Sequence, residues 1–150
     1  MTGQEGQVEL STTLWTAIAA HAEAAYPREA CGLLVGQATS AGWRVTAWHP
    51  AENLHPEPLR HFELDPAAHI SLLRHLRQTE GTPGAPCLLG HLHSHPDTPA
   101  IPSPRDLAMA HDPTMLWLIQ SVHQGRVAEL TAWRVLPGPC FAPVPLVHGK

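Results

Sequence analysis

Two histidines and one aspartate in the second half of the chain have residue types and spacing suited to binding a metal ion. His93 and His95 lie two positions apart at the end of a predicted strand, whose period of two places both imidazoles on one face. Asp106 follows eleven residues after His95, in the first turn of a predicted helix. Two imidazoles and one carboxylate suit catalytic zinc, because such a set leaves a fourth position for water. A structural site would more often use four ligands rich in cysteine.

A zinc hydrolase also needs a base and a group that stabilises the developing oxyanion. A carboxylate that lies near the metal without binding it can take a proton from water. Glu29 is the candidate base, since it stands just before the predicted buried strand Cys31–Gly36, which can hold it rigidly. Ser103 is the candidate donor to the oxyanion. Ser103 and Asp106 also have the spacing of a helix capping box, which is compatible with metal binding because a cap holds the carboxylate in place.

A third histidine leaves one alternative open for the ligand set. His91 lies on the same predicted strand face as His93 and His95, so the three imidazoles could form a three-histidine zinc site. Pro96, which ends the strand, and Asp106, which follows it, favour the set of two histidines and one aspartate. His91 is then a packed or partly exposed neighbour on the strand.

The elements that must position these residues begin with a helix and a hairpin. A helix is predicted from Ser11 or Thr12 to Pro27, because its apolar residues recur at three- and four-residue spacing. These residues are Leu14, Ile18, Ala22 and Ala25. Two short strands, Gly32–Gly36 and Trp43–Trp48, are predicted to pair about the turn Ala41-Gly42.

A second helix and further strands follow. Asp65 is a predicted N-cap with Pro66 at the first helical position, and the apolar face of this helix is predicted to carry Ile70, Leu73 and Leu76. The remaining predicted strands are Arg60–Leu64, Cys87–Leu92, Met115–Val122 and Val127–Val135. The last two are expected to pair about Gln124-Gly125.

Strands and helices that mix without the regular alternation of a doubly wound sheet predict an α+β fold. The sheet is expected to be mixed and mostly antiparallel, with flanking helices. A length of 150 residues with 43% hydrophobic residues fits one domain over 1–150. Residues 1–10 and 137–150 are predicted to be terminal arms, the second because it carries four prolines.

Charge and hydropathy exclude two classes of partner. With 13 acidic and 9 basic residues the formal charge is −4, so no large basic field exists to attract nucleic acid or an anionic membrane. The longest apolar runs, such as Met115–Ile119, are far shorter than the roughly 20 residues of a membrane span.

Cysteine usage and the first residues favour a cytoplasmic protein. The three cysteines are odd in number and widely spaced, which argues against a disulfide framework and against a zinc ribbon. Cys31 and Cys87 are expected to be small buried hydrophobes rather than nucleophiles. Met1–Leu10 lacks the basic and then apolar pattern of a signal peptide.

The segment around the two histidines resembles the signature of the JAMM or MPN+ metalloprotease domain, a glutamate in an upstream strand region followed by HxHPx(6)SxxD. Here the second part consists of His93, Ser94, His95, Pro96, six residues, Ser103, two residues and Asp106. The surroundings are similar to prokaryotic single-domain members in YPREACGLLVG, Asn53 in a proline-rich loop, Phe62, Asp65-Pro66 and Trp133.

This resemblance implies a cytidine-deaminase-like α+β fold and a set of roles. Glu29 would be the general base, Ser103 would stabilise the tetrahedral intermediate, and His93, His95 and Asp106 would hold one zinc ion per chain. The implied activity is that of a metallopeptidase or isopeptidase. Its substrate would be the amide bond after the C-terminal Gly-Gly tail of a ubiquitin-like or sulfur-carrier protein, lying extended across the groove or added as a strand to an exposed edge near the metal.

Two other functions stay open at this point. The chain could be a non-catalytic scaffold domain of the same fold, although such members typically lack parts of the metal set that this chain retains. It could also be a zinc hydrolase of a small-molecule amide, but not a zinc deaminase, since the PCxxC cysteine pair of those enzymes is absent. A homodimer is left open as well.

Overall fold

A computed structural model describes residues 6–149, where eight strands form one sheet and three helices pack beside it. The elements in chain order are β1 (Gln7–Ser11), α1 (Thr12–Ala25), β2 (Cys31–Thr39), β3 (Gly42–Ala51), α2 (Pro66–Arg77), β4 (Cys87–Pro96), α3 (Pro104–Ala108), β5 (Leu116–His123), β6 (Arg126–Leu136), β7 (Cys140–Val144) and β8 (Leu146–Gly149). The strand order is β7-β6-β5-β4-β2-β3-β1-β8. Four neighbouring pairs are antiparallel and three are parallel, so the predicted α+β class with a mixed, mostly antiparallel sheet is confirmed.

The two longer helices cover opposite faces of the sheet. Leu34 of β2 belongs to a core that includes Ile18 of α1, whereas its neighbour Leu33 packs with Leu72 and Leu76 of α2. Because successive side chains of a strand point to opposite faces, α1 and α2 must lie on different sides. The sheet is therefore the middle of three layers.

The start of α1 follows the sequence closely. The Ser11 side chain caps the helix by accepting a hydrogen bond from the Leu14 N–H at 3.2 Å. Ile18 and Ala22 are buried, and the helix ends at Ala25 shortly before Pro27. The predicted capping and the part of the apolar face formed by Ile18 and Ala22 are confirmed.

The apolar face of α2 differs from the prediction. Asp65 caps this helix as expected, but Leu72 and Leu76 are the buried residues, while Ile70 and Leu73 are 52% and 39% exposed. Apolar residues cover more of the helix surface than the sheet can cover. The docking angle selects which of them is buried, and helical periodicity does not determine that angle.

The predicted terminal arms are wrong wherever the structure describes them. β1 and β8 pair in parallel, β7 pairs antiparallel with β6, and Val8 and Leu10 are fully buried. Pro143 is tolerated because β7 is an edge strand, where the missing N–H costs no ladder hydrogen bond on its open side. Residues 1–5 and 150 lie outside the described residues, and a single domain over 1–150 stays a prediction.

The remaining strand predictions have mixed outcomes. The β2–β3 and β5–β6 hairpins are confirmed. Arg60–Leu64 is loop instead of strand and contributes only an isolated bridge between Leu64 and Asn53. Cys31 is buried as expected, whereas Cys87 is exposed because it begins β4 at the end of the sheet. Within residues 6–149, no helix has the length and apolar character needed to cross a membrane.

Two adjacent leucines of α2 provide a matched test of this packing. We expect Leu72→Ala to lower the free energy of unfolding by about 2 to 5 kcal/mol, because it opens a cavity against β2. Leu73→Ala should lower it by less than about 1 kcal/mol, since its side chain is partly exposed. Equilibrium unfolding in urea measures both values. Equal losses for the two variants would contradict the docking of α2 through Leu72.

Candidate metal centre

β4 holds the two histidines in the interior of the sheet. His93 is aligned with Cys31 of β2 on one side and with Ile119 of β5 on the other, so both flanks of the strand are paired. His93 is fully buried and His95 is 8% exposed. Their shared strand face brings the two Nε2 atoms to 3.1 Å, which confirms the expected convergence.

A capping box brings Asp106 to the same point. Ser103 Oγ accepts a hydrogen bond from the Asp106 N–H at 3.0 Å, and Asp106 Oδ2 accepts one from the Ser103 N–H at 2.8 Å. The carboxylate is thereby held facing β4, with Oδ1 3.2 Å from His93 Nε2 and Oδ2 3.2 Å from His95 Nε2. The same arrangement of Ser103 and Asp106 therefore caps α3 and places the Asp106 carboxylate beside the two histidines.

The donor set fits a divalent metal ion. One ligand atom from each of His93, His95 and Asp106 lies within 4.8 Å of the others, and all three residues are buried. Contacts of 3.1 and 3.2 Å between ligand atoms approach the edge of about 3.4 Å of a tetrahedron with metal–ligand bonds near 2.1 Å. Two Nε2 atoms that face each other at this distance in a buried site require a cation or a proton between them.

The second nitrogen of each imidazole has a different environment. His95 Nδ1 donates to the Pro99 carbonyl at 2.8 Å, which leaves the lone pair of its neutral ring on Nε2, toward Asp106. His93 Nδ1 is buried without a partner among the described residues, and its ring stacks on Phe62 with centroids 4.4 Å apart. Packing orients the His93 ring, whereas a hydrogen bond orients that of His95.

Burial and mutual contacts shift the pKa of each ligand residue. Burial acts to raise the pKa of Asp106, but its contacts with the imidazoles of His93 and His95 and its hydrogen bond from the Ser103 N–H outweigh burial and hold the pKa well below its usual range. Burial lowers the pKa of His93. It also acts to lower the pKa of His95, but hydrogen bonds to Asp106 and Pro99 raise it overall. The carboxylate is therefore ionised throughout the physiological range.

Backbone hydrogen bonds hold the segment that precedes β2, which carries Glu29, beside the site. Ser94 Oγ accepts a hydrogen bond from the Ala30 N–H at 2.7 Å, and the Ser94 N–H donates to the Ala30 carbonyl at 2.9 Å. The Asn53 side-chain amide donates to the Glu29 carbonyl at 2.9 Å. These bonds attach the Glu29 segment to β4, between the two histidines, and to the loop that follows β3.

The Glu29 carboxyl is buried without a charged partner in hydrogen-bonding contact among the described residues, and its environment disfavours ionisation. It is 7% exposed and lines one groove of about 720 Å³ together with His95, Ser103 and Asp106. Burial raises its pKa to about 7, with His95 and Arg105 acting in the opposite direction and Asp106 in the same direction. A carboxyl with a pKa near neutrality can both accept and return a proton.

His91 lies outside the ligand group. Its ring packs against Trp117 with centroids 4.2 Å apart, and burial lowers its pKa to about 3. The metal-capable group consists of His93, His95 and Asp106, so the structure favours this set over three histidines. His91 contributes to the packing beneath the site.

Two further contacts near the site were missed by sequence reasoning. The Tyr26 hydroxyl donates to Asp97 Oδ2 at 2.6 Å, and Asp97 Oδ1 accepts from the Gln124 N–H at 2.8 Å. These bonds connect the end of α1 to the residues after His95 and to the β5–β6 turn. Asp97 has a positive φ of 56°, and the only local signal for such a turn was an aspartate after proline.

Comparisons with known proteins agree with this geometry. Residues 11–136 match the family of prokaryotic homologs of the JAB domain. A solution structure of a protein from Desulfitobacterium hafniense superposes with a TM-score of 0.81 at 28% identity, covering 96% of this chain and 94% of that one. The expected family and fold are thus both confirmed.

Several curated proteins are similar in sequence over parts of their length. The desampylase of Haloferax volcanii is 36% identical over 95 residues, or 63% of each chain. The CysO-cysteine peptidase of Mycobacterium tuberculosis is 29% identical over 83% of this chain and 80% of that protein. Tail tip assembly protein K of Escherichia phage N15 is 33% identical over 81% of this chain and 44% of that protein. The chain spans 44% to 63% of the length of the first three curated relatives that it matches.

Metal content distinguishes the two ligand sets directly. We expect the wild-type protein to bind one zinc ion per chain and Asp106→Ala to lose it, because the variant removes the charged ligand. His91→Leu should retain the metal, since His91 lies outside the ligand group. Inductively coupled plasma mass spectrometry after gel filtration measures both, with circular dichroism to verify folding. A folded His91→Leu protein without metal would instead indicate a three-histidine site.

Proposed function

This chain belongs to the family of prokaryotic homologs of the JAB domain, and we propose that it is a zinc-dependent peptidase or isopeptidase. Its proposed substrate is the amide bond that follows the C-terminal tail of a ubiquitin-like or sulfur-carrier protein. The observation that carries this proposal is the position of a buried Glu29, with its raised pKa, in the same groove as the group formed by His93, His95 and Asp106.

Zinc suits the donor set because it accepts nitrogen and carboxylate ligands in a tetrahedral arrangement. His93 and His95 would bind through Nε2 and Asp106 through a carboxylate oxygen. When bound, the ion supplies a Lewis acid that acidifies water and polarises a carbonyl group. The capping box and the hydrogen bond from His95 Nδ1 to Pro99 orient these ligands before any metal enters.

Glu29 is the proposed general base and general acid. Its ionised carboxylate accepts a proton from the attacking water, and the resulting carboxyl group returns that proton to the leaving nitrogen. The contacts of Ala30 with Ser94 and of the Glu29 carbonyl with Asn53 hold the backbone that carries this side chain beside β4.

Ser103 is the proposed donor to the oxyanion. Its Oγ accepts the Asp106 N–H, so the hydroxyl proton stays available to donate to the carbonyl oxygen as negative charge develops. Ser103 lines the groove beside Asp106 and Glu29. One side chain would thus position a ligand through its lone pair and stabilise the transition state through its proton.

The groove favours an extended chain as the substrate. Leu59, Ile101 and Met109 are largely exposed apolar residues along it, and such side chains can contact an apolar tail. Addition of the tail to a free sheet edge beside the metal is disfavoured, because β4 is paired on both sides and the edges are β7 and β8. The names of two relatives, a desampylase and a CysO-cysteine peptidase, support a carrier protein as the partner.

Two alternative functions use the same fold. A scaffold role is consistent with the relative named as a phage tail tip assembly protein, but it gives no reason for a buried Glu29 in the same groove as the ligand group. A small-molecule amide would leave most of an open groove empty. The proposal also includes a cytoplasmic location and, as an alternative to a monomer, a homodimer.

The proposed activity can be tested on the host's own carrier proteins. Zinc-loaded protein should cleave Gly-Gly-ending carriers that bear C-terminal extensions, with mass spectrometry locating the cut directly after the second glycine. Glu29→Gln should lower kcat/KM by about 100-fold or more, because it removes the base while preserving shape. Glu80→Gln, the same change at an exposed position, is the matched control. Absence of cleavage across all carriers would favour the scaffold or small-molecule alternative.

The pH dependence of kcat/KM follows from the raised pKa of Glu29. Protonation removes the base, so activity should fall as pH decreases through the pKa of about 7. A bound cation stabilises the carboxylate and lowers that pKa, which places the acid limb at or below about pH 7. The acid limb is measured from initial rates on one carrier substrate across the pH range. The metal content is checked at each pH. A flat profile through the acid range would contradict the role of Glu29.

A further inference from the structure

Two nitrogen atoms, one of a guanidinium that lines the groove and one of an imidazole beside it, lie close together. Arg105 Nη2 lies 3.1 Å from His55 Nε2. Arg105 lines the groove beside Asp106, while His55 belongs to the loop that follows β3. A guanidinium has only N–H donors, so this contact is a hydrogen bond only if His55 Nε2 has a lone pair.

A neighbouring contact determines which nitrogen of His55 has the lone pair. The backbone N–H of Glu57 donates to His55 Nδ1 at 2.9 Å. Nδ1 must therefore be unprotonated, and the proton of the neutral imidazole is on Nε2. Arg105 Nη2 and His55 Nε2 are thus two donors facing the same point. Such a pair requires an acceptor shared between them, and a carboxylate has the necessary geometry and charge.

The other charges around Arg105 leave it available for an external anion. Among the described residues, no carboxylate oxygen lies within 4.0 Å of its guanidinium. The carboxylates of Asp106 and Asp97, which line the same groove, already accept hydrogen bonds from neighbouring residues. Arg105 also lowers the pKa of Glu29, which places its positive charge near the proposed base.

We propose that Arg105 and His55 form a carboxylate-binding subsite for the leaving group. This inference rests on the proposed function and narrows its substrate class. The acyl tail offers no free carboxylate near the bond to be cut, because its terminal carboxyl forms that amide. When the leaving group is one α-amino acid, it always has a free carboxylate. That carboxylate is attached to the same α-carbon as the leaving nitrogen. The preferred substrate is therefore a carrier tail extended by one residue.

The reaction on such a substrate is a simple hydrolysis. The amide C–N bond breaks, the hydroxyl of water joins the acyl carbon, and a proton joins the nitrogen. The products are the carrier with a free C-terminal carboxylate and one free amino acid. A longer extension or a lysine side chain has no α-carboxylate at this place, so both should be cleaved less efficiently.

A pair of short peptides tests the subsite on the full chain. One ends in Gly-Gly-Ala with a free carboxylate, and the other has the same sequence with a C-terminal amide. We expect kcat/KM to favour the free acid by about tenfold to a hundredfold, the range for charge-assisted hydrogen bonds. Arg105→Gln should reduce this ratio to near one, and His55→Phe, which keeps an aromatic ring without Nε2–H, should reduce it in part.

Arg60→Gln is the matched control for the loss of a positive charge. Arg60 lines the same groove, and among the described residues its side chain makes no hydrogen bond to His55. We expect this variant to retain the ratio between acid and amide. Loss of the ratio in Arg60→Gln, with retention in Arg105→Gln, would overturn the assignment.

Binding to the Glu29→Gln protein provides a readout independent of turnover. Isothermal titration calorimetry should give tighter binding of the free acid than of the amide, and Arg105→Gln in this background should equalise them. Equal binding of the two peptides, or no binding of either, overturns the subsite. Cleavage of both peptides at equal rates overturns the subsite while the proposed function stands. Cleavage of no carrier or peptide counts against the proposed function, while the calorimetry still decides on the subsite.

Discussion

The position of β4, paired with β2 on one side and with β5 on the other, is the constraint on which the site depends. The pairing with β5 is parallel, so the chain must leave the end of β4 and return before β5 can begin. That return contains α3, and it carries Asp106 back over His93 and His95. The antiparallel pairing with β2 brings Ala30, and therefore Glu29, beside the same strand end.

Within this frame, burial gives the two carboxyl groups different protonation behaviour. Asp106 contacts two imidazoles and accepts a hydrogen bond from a backbone N–H, and its pKa falls well below the usual range. Glu29 has no such partners, and burial raises its pKa to about 7. One groove therefore contains an anion that is always ionised and a carboxyl that exchanges its proton near neutrality. This is the division that the proposed roles of ligand and base require.

The parts of the site that could be predicted from sequence depend on short-range rules. The convergence of His93 and His95 follows from strand alternation, and the placement of Asp106 follows from the capping box with Ser103. The abundance of histidine, 12 residues in all, was by itself uninformative. The outer parts of the fold were less predictable. The four prolines after residue 136 suggested an extended arm. The segment instead contains β7 and β8, which are the edge strands of the sheet, where proline is tolerated.

Residue types and local spacing were enough to predict the candidate ligand group, the helix caps, the hairpins and the family, because each depends mainly on residues close in the chain. Only the tertiary structure decided which face of α2 is buried, how Asn53 and Ser94 hold the Glu29 segment, and that Arg105 meets His55. Each of these contacts joins residues far apart in sequence, and its geometry depends on how whole elements dock. Local periodicity and spacing contain no information about that docking.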